Sequence, residues 1–263
     1  MVLGLALGFL MMVALGMPSH SFAVSWEFNC TGFCGLPIGA YGNERSFTAA
    51  GGEVVTVRGF ATPNSNGTGN FVEAYLGQYG GGLGVTSPGI AVLGGNGDGL
   101  GLLNTHTVDN NGKNDLIVFR LPTASYIPLN VFLTAFGDTD VDVWIGGNGL
   151  SFSNFTSLSY ATLAAYGFTA CGAGNSGGSS DRTADFSSCG LSGQYLIIGA
   201  NNNAEDDAFK IASLTGDVPP NRATANSVPE PSAMILLGMG LIALRVLIAK
   251  GSKITREIPV EAR

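Results

Sequence analysis

Histidine is nearly absent from this 263-residue chain: it has two, and only His106 lies beyond the first 23 residues. A Ser-His-Asp hydrolase or a histidine-rich metal centre would have to be assembled around that single imidazole. Asp109 and Asp115 are near enough in sequence to orient it. No Gly-x-Ser-x-Gly elbow lies on a strand-to-helix turn, so His106 is expected to be structural and the protein not an enzyme. Cations are also scarce, with 12 Lys and Arg against 19 Asp and Glu and a net charge of −7. Between Val24 and Val228 the imbalance sharpens to 7 against 16, a net of −9, whereas Pro229 onward carries 5 against 3, a net of +2. An acidic body repels phosphate backbones, which excludes nucleic acid as an expected partner.

Cysteine is limited to Cys30, Cys34, Cys171 and Cys189. Four cysteines allow three disulfide connectivities. Cys30–Cys34 with Cys171–Cys189 is the favoured one, because each pair closes a short glycine-containing loop. A zinc site is disfavoured by spacings that are not those of paired CxxC knuckles and by the lack of histidine.

Long apolar runs occur only at the two ends, Met1–Met17 and Ala233–Ala249. The first, with Val2–Leu15 as its apolar stretch, precedes Ser21-Phe22-Ala23, which sets small residues at the −3 and −1 positions of a signal-peptidase site. Residues 1–23 are therefore expected to be a signal peptide, cleaved after Ala23. The second run has seventeen residues, about 25 Å of helix, and ends at Lys250, whose side chain can snorkel to the headgroups. Residues 233–249 are expected to cross the membrane, with residues 250–263 as a basic cytoplasmic tail.

What lies between is glycine-rich and broken into runs of strand length: Glu53–Ala61, Phe71–Tyr79, Asp115–Leu121, Tyr126–Phe136, Asp140–Ile145, Gln194–Ala200 and Asp207–Leu214. In Asp140–Ile145 the apolar residues alternate, with Val141, Val143 and Ile145 on one face and the acids and Trp144 on the other. These patterns predict an all-β, antiparallel, jelly-roll-like β-sandwich ectodomain over residues 24–217. Ser157–Phe168 reads as the one short helix. Gly80–Gly84, Gly94–Gly101 and Gly172–Ser180 read as surface loops. Residues 218–232 form a Pro, Asn, Ala and Ser linker ending in Val228-Pro229-Glu230-Pro231.

That tetrapeptide, the glycine-spaced apolar run after it and the basic residues Arg245, Lys250, Lys253 and Arg256 together resemble the PEP-CTERM sorting signal. The two prolines keep the segment around Glu230 extended and open to a membrane-embedded enzyme. The resemblance implies an exosortase as partner, transient anchoring in the inner membrane, and delivery to the cell surface or matrix of a Gram-negative bacterium. A second resemblance, to exosortase-dependent surface proteins, rests on blocks such as Glu73-Ala74-Tyr75-Leu76-Gly77, Gly137-Asp138-Thr139-Asp140-Val141-Asp142-Val143-Trp144 and Tyr195-Leu196-Ile197-Ile198-Gly199-Ala200. It implies surface location and carries no activity with it.

Two ligand-binding possibilities remain. Asp138, Asp140 and Asp142 alternate, so a regular strand would place all three on one face, where like charges repel unless a cation or solvent relieves them. Asp109, Asn111, Asp115, Asp206 and Asp207 could add ligands from other loops, but the EF-hand spacing is not met. Trp26, Trp144, Tyr75, Tyr79 and Tyr195 offer rings for sugar contact, with Trp144 the first to test. The leading expectation is a non-catalytic surface or extracellular-matrix protein, structural or adhesive within an exopolysaccharide layer. The alternative is a calcium-dependent carbohydrate-binding module.

Overall fold

Alternating apolar residues organise the ectodomain into fourteen strands, numbered in chain order, in a computed structural model that describes residues 22–30, 40–88, 106–172, 178–201 and 207–218. Sheet I contains β1 (Phe22–Glu27), β5 (Tyr75–Tyr79), β6 (Gly82–Thr86), β7 (Val108–Asp109), β9 (Ile127–Ala135), β12 (Arg182–Asp185) and β14 (Ala208–Val218). Sheet II contains β2 (Glu44–Thr48), β3 (Val54–Ala61), β4 (Val72–Glu73), β8 (Asp115–Arg120), β10 (Val141–Gly146), β11 (Thr169–Cys171) and β13 (Tyr195–Ala200). Sheet I runs β12-β9-β14-β6-β5, and sheet II runs β11-β10-β13-β8-β3-β2. Every strand pairing is antiparallel. The described residues fall in the first of two compact units, Met1–Pro220. The expected membrane span, tail and sorting motif fall in the second, Asn221–Arg263, outside the described residues. No helix among the described residues is long and apolar enough to cross a membrane.

The main core lies between the sheets. Sheet I contributes Trp26, Leu76, Leu83, Val85, Val131, Leu133, Phe209, Ile211 and Leu214, and sheet II contributes Val55, Val57, Ile117, Phe119, Val141, Val143, Ile145, Leu196 and Ile198. Each such side chain taken fully out of water contributes about 2 kcal/mol. A second core sits on the outer face of sheet II. There Phe60, Leu116, Val118, Tyr195 and Ile197 pack under Phe152, Phe155, Leu158, Leu163 and Phe168. That cover includes two 3₁₀ turns, Phe152–Ser157 and Leu163–Tyr166. The expected helix over Ser157–Phe168 is thus replaced by a turn, an extended stretch and another turn. Its apolar residues are spaced to drop individual rings onto the sheet, and three-residue turns accommodate that spacing.

Gly80–Gly84 also departs from expectation. Gly82 to Gly84 open a buried strand, β6, instead of a surface loop. Gly82 has φ +117°, and a Cβ there would lie 2.2 Å from the Ile211 carbonyl oxygen; at Gly84 a Cβ would lie 1.8 Å from the carbonyl oxygen of His106. Glycine serves here to let two backbones approach. The Phe71–Tyr79 run is broken at Ala74 into β4 and β5, and β1, β2, β7, β11 and β12 add to the strands expected.

β14 is the spine of sheet I. Along one side it pairs with β9, and along the other it meets β7, β6 and β1 in succession. Phe22 pairs with Val218, so the chain enters and leaves this sheet at the same end. Ala23, the expected last residue of the signal peptide, lies in β1 opposite Asp217.

Candidate functional site

Near the far end of β14 the fold gathers three carboxylates, but not the three expected. Oxygen atoms of Asp138, Asp140 and Asp207 lie within 4.8 Å of one another, the one such group among the described residues. Asp138 and Asp207 form a parallel bridge, and Ala208 N–H donates to the Asp138 carbonyl at 2.8 Å. Asp207 is held by Asn110, whose Nδ2 donates to its carboxylate at 3.0 Å. The Asp138 carboxylate accepts from Thr139 N–H at 2.6 Å. β10 begins only at Val141, so Asp138 and Asp140 precede the regular strand that would have aligned them with Asp142.

Asp142 points elsewhere, accepting from Asn201 Nδ2 at 2.9 Å. Burial raises its pKa above the ordinary carboxyl range; the Asn201 hydrogen bond works against that, and Asp140 nearby adds to it. Asp109 accepts from Thr107 Oγ1 at 2.8 Å and from Asn111 N–H at 3.1 Å, and Asp115 accepts from Ser87 Oγ. Asp206 lies outside the described residues.

His106 is buried. Its Nδ1 is hydrogen-bonded to Thr86 Oγ1, and its ring stacks on Tyr79 with centroids 5.1 Å apart. Lys210 also meets Tyr79, its Nζ 4.7 Å from that ring and 4.3 Å from the ring of Phe136. Burial pushes the Lys210 amine below its ordinary pKa, and the two ring faces partly offset the lost hydration.

The rings chosen for sugar contact are occupied in packing. Trp26 is in the main core with its Nε1 donating to the Glu53 carbonyl at 2.9 Å. Tyr195 lies in the second core and donates to the Leu150 carbonyl at 2.9 Å, Tyr75 is buried, and Tyr79 is taken by His106 and Lys210. Trp144 does share a face of β10 with Asp142, but it packs against the second core. Among the described residues the exposed aromatics are instead Tyr41, Phe132, Phe136 and Tyr166. A signal for two of them stood in the Tyr126–Phe136 run, where Phe132 and Phe136 alternate with Val131 and Leu133 and so fall on the outward face.

Cys171 and Cys189 form a disulfide with Cα atoms 6.0 Å apart. Cys30 is disulfide-bonded as well, and its expected partner Cys34 lies outside the described residues.

Fold and site together define an all-β, two-sheet domain stapled by a disulfide. Residues 227–249 match the family model of the PEP-CTERM protein-sorting motif, so the chain carries that motif. The match takes in Val228, Pro229, Glu230, Pro231 and Arg245, and it marks the chain for exosortase-dependent sorting to the cell surface. No curated protein and no solved structure matches the chain.

Proposed function

We propose that the protein is a non-catalytic surface or extracellular-matrix component, structural or adhesive within an exopolysaccharide layer. The sorting motif over residues 227–249 carries the reading. It is supported by a domain whose one histidine is engaged by Thr86 and Tyr79 and whose polar clusters are tied into the framework. The test is the mass of the mature chain. Processing near Val228–Pro231 that disappears when the exosortase gene is deleted is the expected result. Intact chains ending at Arg263 in both strains would sink it.

The grouping of Asp138, Asp140 and Asp207 favours a second reading, a calcium-dependent carbohydrate-binding module. Calcium would then raise the melting temperature beyond what sodium chloride of equal ionic strength does, and Asp140→Asn would abolish the difference. Equal effects of the two salts mark a solvated acidic group, which is the outcome expected.

A further inference from the structure

The two outer faces of the sandwich are treated differently by the chain. Sheet II is roofed by residues of the chain's own 3₁₀ layer, whereas sheet I leaves Phe132 on β9 38% exposed and Phe136, in the bend just after β9, 48% exposed. β9 is an inner strand of that sheet, between β12 and β14, so the Phe132 ring stands on the face of the sheet, and Phe136 stands where that strand ends. The register defines their surroundings. Thr183 on β12 and Ser213 on β14 lie directly opposite Phe132, and Ser213 in turn faces Glu27 on β1. Asn130 and Thr134 lie two residues to either side of Phe132 on the same face. Phe136 follows Phe132 by about 13 Å along the chain.

The charges around this face are distributed by sign. Lys210 would be its cation, but its side chain is only 4% exposed and its ammonium is held between the rings of Phe136 and Tyr79. That contact also fixes the Phe136 ring. Carboxylates remain at the margins: Glu27 on β1, Asp185 opposite Asn130, and Asp181, which accepts from Ala135 N–H at 2.8 Å. Two ring faces set among hydroxyl and amide groups, with hydrogen-bond acceptors at the border, suit a ligand with apolar C–H faces and many hydroxyl donors and no negative charge. An anionic polymer or an anionic membrane meets the wrong sign, and a protein partner would find two isolated rings instead of a continuous apolar patch.

We propose that the outer face of sheet I is a docking platform for a neutral polysaccharide, with Phe132 and Phe136 as stacking residues. The proposal deepens the reading of the protein as an adhesive component of a polysaccharide layer. It differs from the calcium-dependent module in site and in needing no metal.

The test uses the full chain in detergent, with affinity electrophoresis and pull-down on neutral polymers (cellulose, dextran and a mixed-linkage glucan) and on alginate as the anionic polymer. Retention by at least one neutral polymer, unchanged by EDTA and stronger than on alginate, is expected. Phe132→Ala and Phe136→Ala should each weaken it several-fold, up to about tenfold. Phe132→Tyr, which keeps the ring, should retain binding, and Tyr41→Ala, at an exposed aromatic in the turn before β2, should leave it unchanged. Each variant's melting temperature checks that the fold is intact. No retention on any neutral polymer, preference for alginate, loss in EDTA, or equal binding by the Phe132 and Phe136 variants would overturn the proposal. Failure of C-terminal processing would be read separately, from the mass of the mature chain.

Discussion

The sandwich has two lateral edges, and they are closed by different chemistry. On one, the Cys171–Cys189 disulfide joins β11, the last strand of sheet II, to the turn that follows β12, the last strand of sheet I. On the other, β2 and β5 are joined through side chains. The Asn43 amide donates to the Leu76 carbonyl at 2.9 Å and accepts from the Leu76 N–H at 2.8 Å, and Arg45 Nε donates to the same carbonyl at 3.1 Å. Asn43 thus pairs with β5 much as another strand would, and at Leu76 it covers backbone groups that would otherwise invite a foreign strand. The covalent closure acts largely by restricting the unfolded chain. The polar one acts only once the strands are in place, and its value is chiefly that buried backbone groups do not go unpaired.

Breaking the covalent edge should have the largest effect. Replacing Cys171 and Cys189 together by Ala opens a loop with a sequence separation of 18, which costs about 3 kcal/mol in the chain-entropy model. For a domain of this size that is a fall of roughly 6–12 °C in melting temperature. A fall under about 2 °C would show that the disulfide edge is held by packing alone. Asn43→Ala should cost less, about 2 kcal/mol, because it leaves the Leu76 N–H and carbonyl without their amide partner. Hydrogen exchange should then quicken at Leu76 and its neighbours in β5 while β11 stays protected. Uniform quickening would mean that the two edges are not independent.

A smaller change sharpens the comparison from within sheet II. Asp142 lies on β10, beside the edge strand β11, and its folded pKa is raised, so the folded state holds its proton more tightly than the unfolded state does. This group's contribution to stability therefore falls as pH rises from the ordinary carboxyl value, about 3.9, through the folded one. Asp142→Asn should raise the melting temperature at pH 7 by about 2 °C, with the gain fading below about pH 4. A gain that persists unchanged in acid would mean that the charge of Asp142 is not its source.

The seven strand runs were legible because burial imposes a period of two wherever one face meets the core, as in β10. β8 and β13 carried further information. Asp115 to Phe119 and all of β13 are buried on both faces, and their nearly unbroken apolar runs register the roof over sheet II. The roof's own form was not legible, since the three-residue spacing of Phe152, Phe155 and Leu158 belongs to short 3₁₀ turns that are ordered by the sheet beneath them. β6 was hidden for the opposite reason: close approach of backbones requires glycine, and a glycine-rich strand looks like a loop. The grouping of Asp138 and Asp140 with Asp207 comes from an isolated bridge between segments distant in sequence, just outside the regular strands. Local alternation pointed to Asp142 instead.

The pairing of β14 also has a mechanical meaning. The chain leaves the sandwich at Val218, after eight register pairs with β9 on one side and, counting from Val24, four with β1 on the other. A tether drawn taut at Val218 pulls β14 lengthwise, at right angles to those hydrogen bonds, so that they resist together in shear. A pull sideways on the short edge strands would peel them one bond at a time. Force spectroscopy through a handle at Val218 should therefore give a higher rupture force than through one on β12, and equal forces would count against this geometry.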